Sequence, residues 1–231
     1  GDRPVIIALT ETARRNMHDD DIGYQGERNA QGEPHGNGRC LFDDGGVYDG
    51  EWADGAQHGT GTYLWSWGDS YTGGWQRGKK HGQAVHTYAD GGKFVGAMAD
   101  DMRNGYGRFK YGHGDEYDGY YVNDLKDYGM WAYINGEMRV CRWVLHESGS
   151  CSVIQGEGVK WDAERTAAWR LVDGELREEI SLEEAAAISA RVGTGMPTST
   201  PPPYVPVARW ALAVAAAHER RATCAGTSWV Q

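Results

Sequence analysis

The feature that most constrains this chain is a period of about 23 residues in its aromatic rings and glycines. Tyr24, Tyr48, Tyr71, Phe94 and Tyr117 stand 24, 23, 23 and 23 residues apart, and each is followed two residues later by a glycine: Gly26, Gly50, Gly73, Gly96 and Gly119. Four residues after the leading aromatic, Trp52, Trp75 and Tyr121 add a second ring, while Arg28 and Met98 hold that place in the first and fourth copies. His35-Gly36, His58-Gly59 and His81-Gly82 recur further along. The fourth copy reads Asn104-Gly105-Tyr106-Gly107, and the fifth, at Lys126-Asp127-Tyr128-Gly129, is one residue shorter. A fixed period of this length marks a repeat architecture whose units bury their apolar faces only by stacking.

Within one copy, Tyr48, Gly50 and Trp52 alternate with Asp49 and Glu51, so the rings and the glycine share one face of a strand. Gly61 to Trp67 alternates in the same way. Between these runs, Ala53-Asp54-Gly55-Ala56-Gln57 has the chemistry of a turn. Each copy therefore predicts one β-hairpin, closed at its far end by signals such as Asp44-Gly45, Asp90-Gly91 and Asn135-Gly136. Glycine weakens a strand unless another group crosses closely over its backbone. Either the neighbouring rings lie over these glycines, or the glycines mark bulges. A lone hairpin is marginal in water, so the copies are expected to join in one sheet.

Composition fits that reading. Leu, Ile, Val and Phe supply only 34 of 231 residues, against 34 glycines and 26 aromatic residues. So small an aliphatic share excludes an ordinary aliphatic-cored α/β domain, and ten tryptophans at a net charge of −10 argue against a wholly disordered chain. An acidic pI of about 5.2 argues against a nucleic-acid partner. No apolar run reaches the length of a membrane-spanning helix. The chain starts without Met. Its apolar run Val5 to Leu9 is too short for a signal peptide, and Val5 stands where a myristoylation pattern needs Ser or Thr. Cys40, Cys141, Cys151 and Cys224 form no C-x-x-C pair, which fits free thiols in a reducing, cytoplasmic compartment; a Cys141–Cys151 bridge is the alternative.

Tyr48-Asp49-Gly50-Glu51-Trp52-Ala53-Asp54-Gly55-Ala56-Gln57-His58-Gly59 closely resembles a MORN (membrane occupation and recognition nexus) repeat, and Tyr71 to Gly82 is similar. The resemblance runs from Tyr24 to about Arg139. It implies an extended, twisted antiparallel sheet of stacked hairpins, framed by Tyr24, Tyr48, Trp52, Tyr71, Trp75, Phe94, Tyr117 and Tyr121. It does not imply one function, because such repeats occur in axonemal proteins, junctophilins, plant phosphatidylinositol-phosphate kinases, lysine methyltransferases and cytoskeletal scaffolds.

The expected organisation is an N-terminal arm (1–23), the repeat sheet (24–139), further hairpins with a capping helix (140–193), a proline-rich linker (194–206), and a C-terminal helix and tail (207–231). Ser181-Leu182-Glu183-Glu184 reads as a capping box opening a helix that stops at Gly193. Pro201 to Tyr204 matches the P-P-x-Y pattern of WW-domain ligands as well as a plain spacer. In the last helix, Val207, Trp210 and Val214 form an apolar stripe that docks on the chain's own sheet or on a partner.

Chemistry is sparse. Equivalent histidines in successive hairpins are expected two strand spacings apart, about 9.5 Å, too far to share a metal whose ligands lie at about 2 Å. There is no nucleophile elbow, no P-loop and no dinucleotide fingerprint, and neither a cofactor nor a catalytic residue is expected. The acidic run Asp19-Asp20-Asp21 lacks the rest of a calcium loop. Arg77, Lys79 and Lys80 make the third copy locally basic, a candidate contact for an anionic lipid headgroup, although the repeat span is acidic overall. The leading expectation is a non-enzymatic scaffold subunit that binds protein partners within a multi-subunit assembly. The resemblance implies a cytoskeletal or axonemal setting. A phosphoinositide-binding adaptor is the alternative.

Overall fold

A computed structural model describes residues 23–145 and 152–193. Fourteen strands follow one another in chain order across one antiparallel sheet. The outgoing strands are β1 (Gly23–Arg28), β3 (Val47–Ala53), β5 (Ser70–Gln76), β7 (Lys93–Ala99), β9 (Glu116–Val122), β11 (Met138–Leu145) and β13 (Ala168–Val172). The return strands are β2 (Pro34–Leu41), β4 (Ala56–Leu64), β6 (Lys79–Thr87), β8 (Met102–Lys110), β10 (Leu125–Ala132), β12 (Ser152–Trp161) and β14 (Glu175–Ile180). The helix among the described residues is α1 (Leu182–Gly193). The expected arm before Gly23, the proline-rich linker, the C-terminal helix with Val207, Trp210 and Val214, and the thiols Cys151 and Cys224 lie outside the described residues.

Local chemistry sets the hairpin geometry. The turns Asp54-Gly55, Arg77-Gly78, Asp100-Asp101 and Asn123-Asp124 each place both residues at positive φ. Two-residue loops of this kind match the right-handed twist of the strands they join, and Asp, Asn and Gly tolerate the conformation best. Each turn is tied to the hairpin before it: Gly78 N–H donates to Gln57 O at 2.9 Å, Asp101 N–H to Lys80 O at 3.1 Å, and Asp124 N–H to Arg103 O at 2.9 Å. At the other end the hairpins join through short loops that begin on an aromatic residue. In these, the N–H groups of Phe42, Trp65, Tyr88 and Tyr111 donate to Gly46, Asp69, Gly92 and Asp115.

Both expected roles of glycine occur, at different positions. Gly50 faces Gly61 while Trp52 faces Gln57, so four steps of the return strand oppose two of the outgoing strand. The surplus is a bulge at Gly59, whose φ is +58°. Gly61 instead lies under a ring: a Cβ there would meet three atoms of Tyr48 within 2.6 Å. In the fifth hairpin three steps oppose two, so the missing residue is taken out of the bulge and Tyr121 keeps its partner Lys126. The bulge recurs between β11 and β12, where Val140 faces Val159 and Arg142 faces Gln155. The hairpin geometry therefore continues beyond the five copies with a visible sequence signature.

The core on one face is a zigzag of rings. Centroids lie 5.1 Å apart for Tyr24–Trp52, 5.1 Å for Tyr48–Trp52, 5.2 Å for Tyr48–Trp75 and 5.1 Å for Tyr71–Trp75, all edge to face. Met98 fills the next step, and Phe94–Tyr121, Tyr117–Tyr121 and Tyr117–Trp143 continue it. Tyr48 O–H donates to Glu51 O at 2.9 Å, and Trp52 Nε1–H to Gly38 O at 3.0 Å, so these two polar ends are satisfied, whereas the buried Tyr121 hydroxyl has no hydrogen-bond partner among the described residues. Arg28, standing where the next two copies have tryptophan, keeps the contact as a cation 4.9 Å from the Tyr24 ring centroid.

On the opposite face, Ala185 and Ile188 of α1 pack with Val159 and Ala168 in a second, aliphatic core. Ser181 Oγ accepts the Glu184 N–H at 3.1 Å, as a capping box requires. The Glu184 carboxylate, however, pairs with Arg170 of β13, which pins the helix to the sheet.

Candidate docking surface

The ring face of the repeat sheet carries a second row of aromatic residues beside the buried zigzag. Return strands supply Tyr63, His86, Phe109 and Trp131, and the loops that follow supply Trp65, Tyr88 and Tyr111. These rings touch one another: Tyr63–Trp65 at 4.6 Å, Trp65–His86 at 5.3 Å, His86–Tyr88 at 4.2 Å, Tyr88–Phe109 at 5.4 Å, Phe109–Tyr111 at 4.4 Å and Tyr111–Trp131 at 5.2 Å. Apart from His86 they are only half-buried, unlike Tyr48, Tyr71 and Tyr117, which have no exposed surface. Asp115 accepts the Trp131 Nε1–H at 3.2 Å and fixes that indole.

His86 sits at the centre of the row, 8% exposed. Burial, reinforced by the nearby Lys80 charge, pushes its pKa down to about 4, and Asp69, 3.9 Å from Nε2, only partly opposes this. It is therefore a neutral ring in the place where the neighbouring copies have Tyr63 and Phe109.

Cations border the row at the repeat period. Lys80 Nζ lies 5.6 Å from the Trp65 centroid and 5.8 Å from Tyr71. The Arg103 guanidinium lies 4.8 Å from Tyr121 and 5.6 Å from Phe109. Lys126 Nζ lies 4.6 Å from Trp131, 5.5 Å from Tyr117 and 5.8 Å from Tyr111. Arg103 is paired with Asp124 at 2.7 Å. Among the described residues, Lys80 and Lys126 have no carboxylate partner within 4.0 Å; burial, with Arg103 adding repulsion, holds the Lys126 amine below the ordinary lysine range. Gln57 takes the same position in the second hairpin, facing Trp52.

The basic patch expected from sequence divides between surfaces. Arg77 is in a turn, at φ 50°. Lys79 is exposed and reaches Asp100 at 3.3 Å, and its strand neighbour Lys80 turns to the ring face. The geometry thus associates Lys80 with Arg103 and Lys126 rather than with Arg77 and Lys79. Those two partners were not singled out in the sequence, though each stands 23 residues from the cation before it. What sets them apart from the other cations that lie over rings, Arg28, Arg139 and Lys160, is their equivalent register on successive return strands.

No group of three or more His, Cys, Asp or Glu side chains able to hold a metal occurs among the described residues. Cys141 is a free, fully buried thiol, and burial pushes its pKa up to about 12, which makes it unreactive. Among the described residues, no helix is long and apolar enough to cross a membrane.

An open sheet of stacked hairpins with a ring core defines a repeat protein of the single-layer β type. The MORN repeat family matches residues 30–47, 48–70, 71–93 and 94–116 in succession. The chain therefore contains four consecutive MORN repeats across residues 30–116. No curated protein matches it. Among solved structures it is similar to the TCP domain of SAS-4 (dCPAP) from Drosophila melanogaster, solved with a proline-rich motif of Ana2 (dSTIL). That match has 12% identity over 68% of this chain and 90% of that one, with a TM-score of 0.35. The G-box domain of the microcephaly protein CPAP matches at 14% identity over 69% and 93%, with a TM-score of 0.32. The TCP10 domain of Danio rerio CPAP matches at 12% over 69% and 95%, with a TM-score of 0.23. Scores this low carry no argument about function.

Proposed function

We propose that this protein is a non-catalytic scaffold subunit whose ring face docks a segment of a protein partner within a larger assembly. The observation that carries this reading is the continuous row of rings from Tyr63 to Trp131, half-exposed apart from His86 and mounted on the buried zigzag. Rigid aromatic side chains lose little conformational entropy when they are covered, which makes such a row an efficient contact surface. A cytoskeletal or axonemal assembly is the setting that the MORN resemblance supports.

Lysine-directed cross-linking mass spectrometry on the native extract tests it. Cross-links from Lys80 and Lys126 to a common partner, lost in Trp65→Ala and Phe109→Ala, are expected. Cross-links that arise only from other lysines, or that survive both substitutions, overturn the reading. Recovery of partners unchanged by deletion of residues 194–231 would separately remove any anchoring role for Val207, Trp210 and Val214.

A further inference from the structure

The cations on the ring face form a ruler. Lys80, Arg103 and Lys126 occupy successive return strands β6, β8 and β10, so neighbours in the row are separated by two strand spacings. That separation is about 9.5 Å, and the whole row spans about 19 Å. Beside it lie aromatic rings, and among the described residues no carboxylate stands within 4.0 Å of Lys80 or Lys126.

An occupant crossing the strands must present its charges at the same interval. A β-strand repeats its side-chain direction every two residues, about 6.8 Å, and does not match. An α-helix returns to nearly the same face after seven residues, about 10.5 Å, and drifts by about 2 Å over the row. A polyproline II segment has three residues per turn and a rise of about 3.1 Å, hence about 9.3 Å per turn. Its drift over the whole row is less than about 0.5 Å. Such segments also dock proline rings in aromatic-lined grooves, and their preformed conformation lowers the entropic cost of binding.

We propose that the ring face of β6–β10 binds an acidic segment in polyproline II conformation, lying across the strands with a carboxylate at every third residue. The first and third carboxylates meet Lys80 and Lys126, the middle one meets Arg103 beside Asp124, and the intervening residues pack on Tyr88, Phe109 and Tyr111. The inference rests on the ring face being a docking surface and adds the chemistry and register of what docks there.

The test uses the full chain and fluorescently labelled peptides, read by anisotropy. One peptide contains four Glu-Pro-Pro triplets. A second has the same composition with its glutamates contiguous. The triplet peptide is expected to bind more tightly. Lys80→Gln with Lys126→Gln should weaken it roughly tenfold, the loss of two partly buried charge pairs. Gln57 shows that the framework accepts glutamine at this position. Lys79→Gln, on the other surface, should leave binding unchanged.

Equal affinity for the two peptides, absence of binding, or indifference to the double substitution overturns the proposal. Sedimentation with phosphatidylserine vesicles that depends on Lys80 and Lys126, without peptide binding, overturns it in favour of a lipid surface. If the partner cross-links at Lys80 and Lys126 persist while the triplet peptide fails, this register is wrong and the docking surface stands. If both fail, both readings fall.

Discussion

The sheet from β1 to β10 and the sheet from β11 to β14 use the same bulged hairpin but bury it in different ways. In the first region, Tyr48, Tyr71, Phe94 and Tyr117 are sealed by rings of neighbouring hairpins and by small residues beneath them, with no second layer among the described residues. In the second, Val159 and Ala168 on the opposite face form a small aliphatic cluster that α1 covers with Ala185 and Ile188. Large rings substitute for a layer, whereas small aliphatic residues require one. The consequence is functional: the first region keeps a half-open aromatic face, while in the second α1 occupies the surface opposite the rings.

The comparison breaks first at the rings. Tyr48→Ala removes the hub of two edge-to-face contacts and should cost about 4 kcal/mol in denaturant unfolding. Ile188→Ala should cost about 3 kcal/mol. In hydrogen exchange, its effect should stay within α1, β12 and β13, because a stacked array couples mainly to nearest neighbours. If Ile188→Ala deprotects β3–β6 to the same extent, the two regions are not separate in energy.

Acid sharpens the contrast. His86 has a folded pKa of about 4 against an ordinary value of 6.5. Below pH 6.5 the unfolded chain takes a proton that the native ring refuses, so stability is full above 6.5 and declines as pH falls toward 4. The loss reaches about 3 kcal/mol. His86→Phe, which repeats the residue at 109, should flatten this part of the stability-pH curve. An unchanged slope between pH 6.5 and 4 would show that the row around His86 is wetter than the structure indicates.

A smaller effect tests the glycine side of the design. Gly61→Ala pushes a methyl group against the Tyr48 ring and should cost about 2 kcal/mol. Ala84 stands at the equivalent position under Tyr71, so Ala84→Gly should be much milder. Equal costs would mean that ring–glycine contact is not what seals the repeat. Smallest, Ser181→Ala should cost about 1 kcal/mol by leaving the Glu184 N–H without its cap. The Arg170–Glu184 pair should still hold α1 in place, as circular dichroism would show.

The hairpin repeat, its ring framework and the helix at 182–193 were legible in the sequence, because period-two alternation, turn residues and a capping serine are local signals. Less legible was the continuation into β11–β14. There Arg139 and Cys141 replace the leading aromatic and its glycine, and only the Gly156-x-Gly158 spacing preserves the bulge. The cation row was hidden for another reason. Lys79 and Lys80 look alike in a basic stretch, and strand alternation sends one to Asp100 and the other to Trp65.

The sequence by itself determined the repeating unit, since each hairpin is specified by residues close together in the chain. Tertiary structure decided which side chains of different units share a face. Whether a lysine pairs with an acid or stands over a ring depends on bulge register and on hairpins 23 residues away. The proposed docking surface is therefore a property of the stacked sheet.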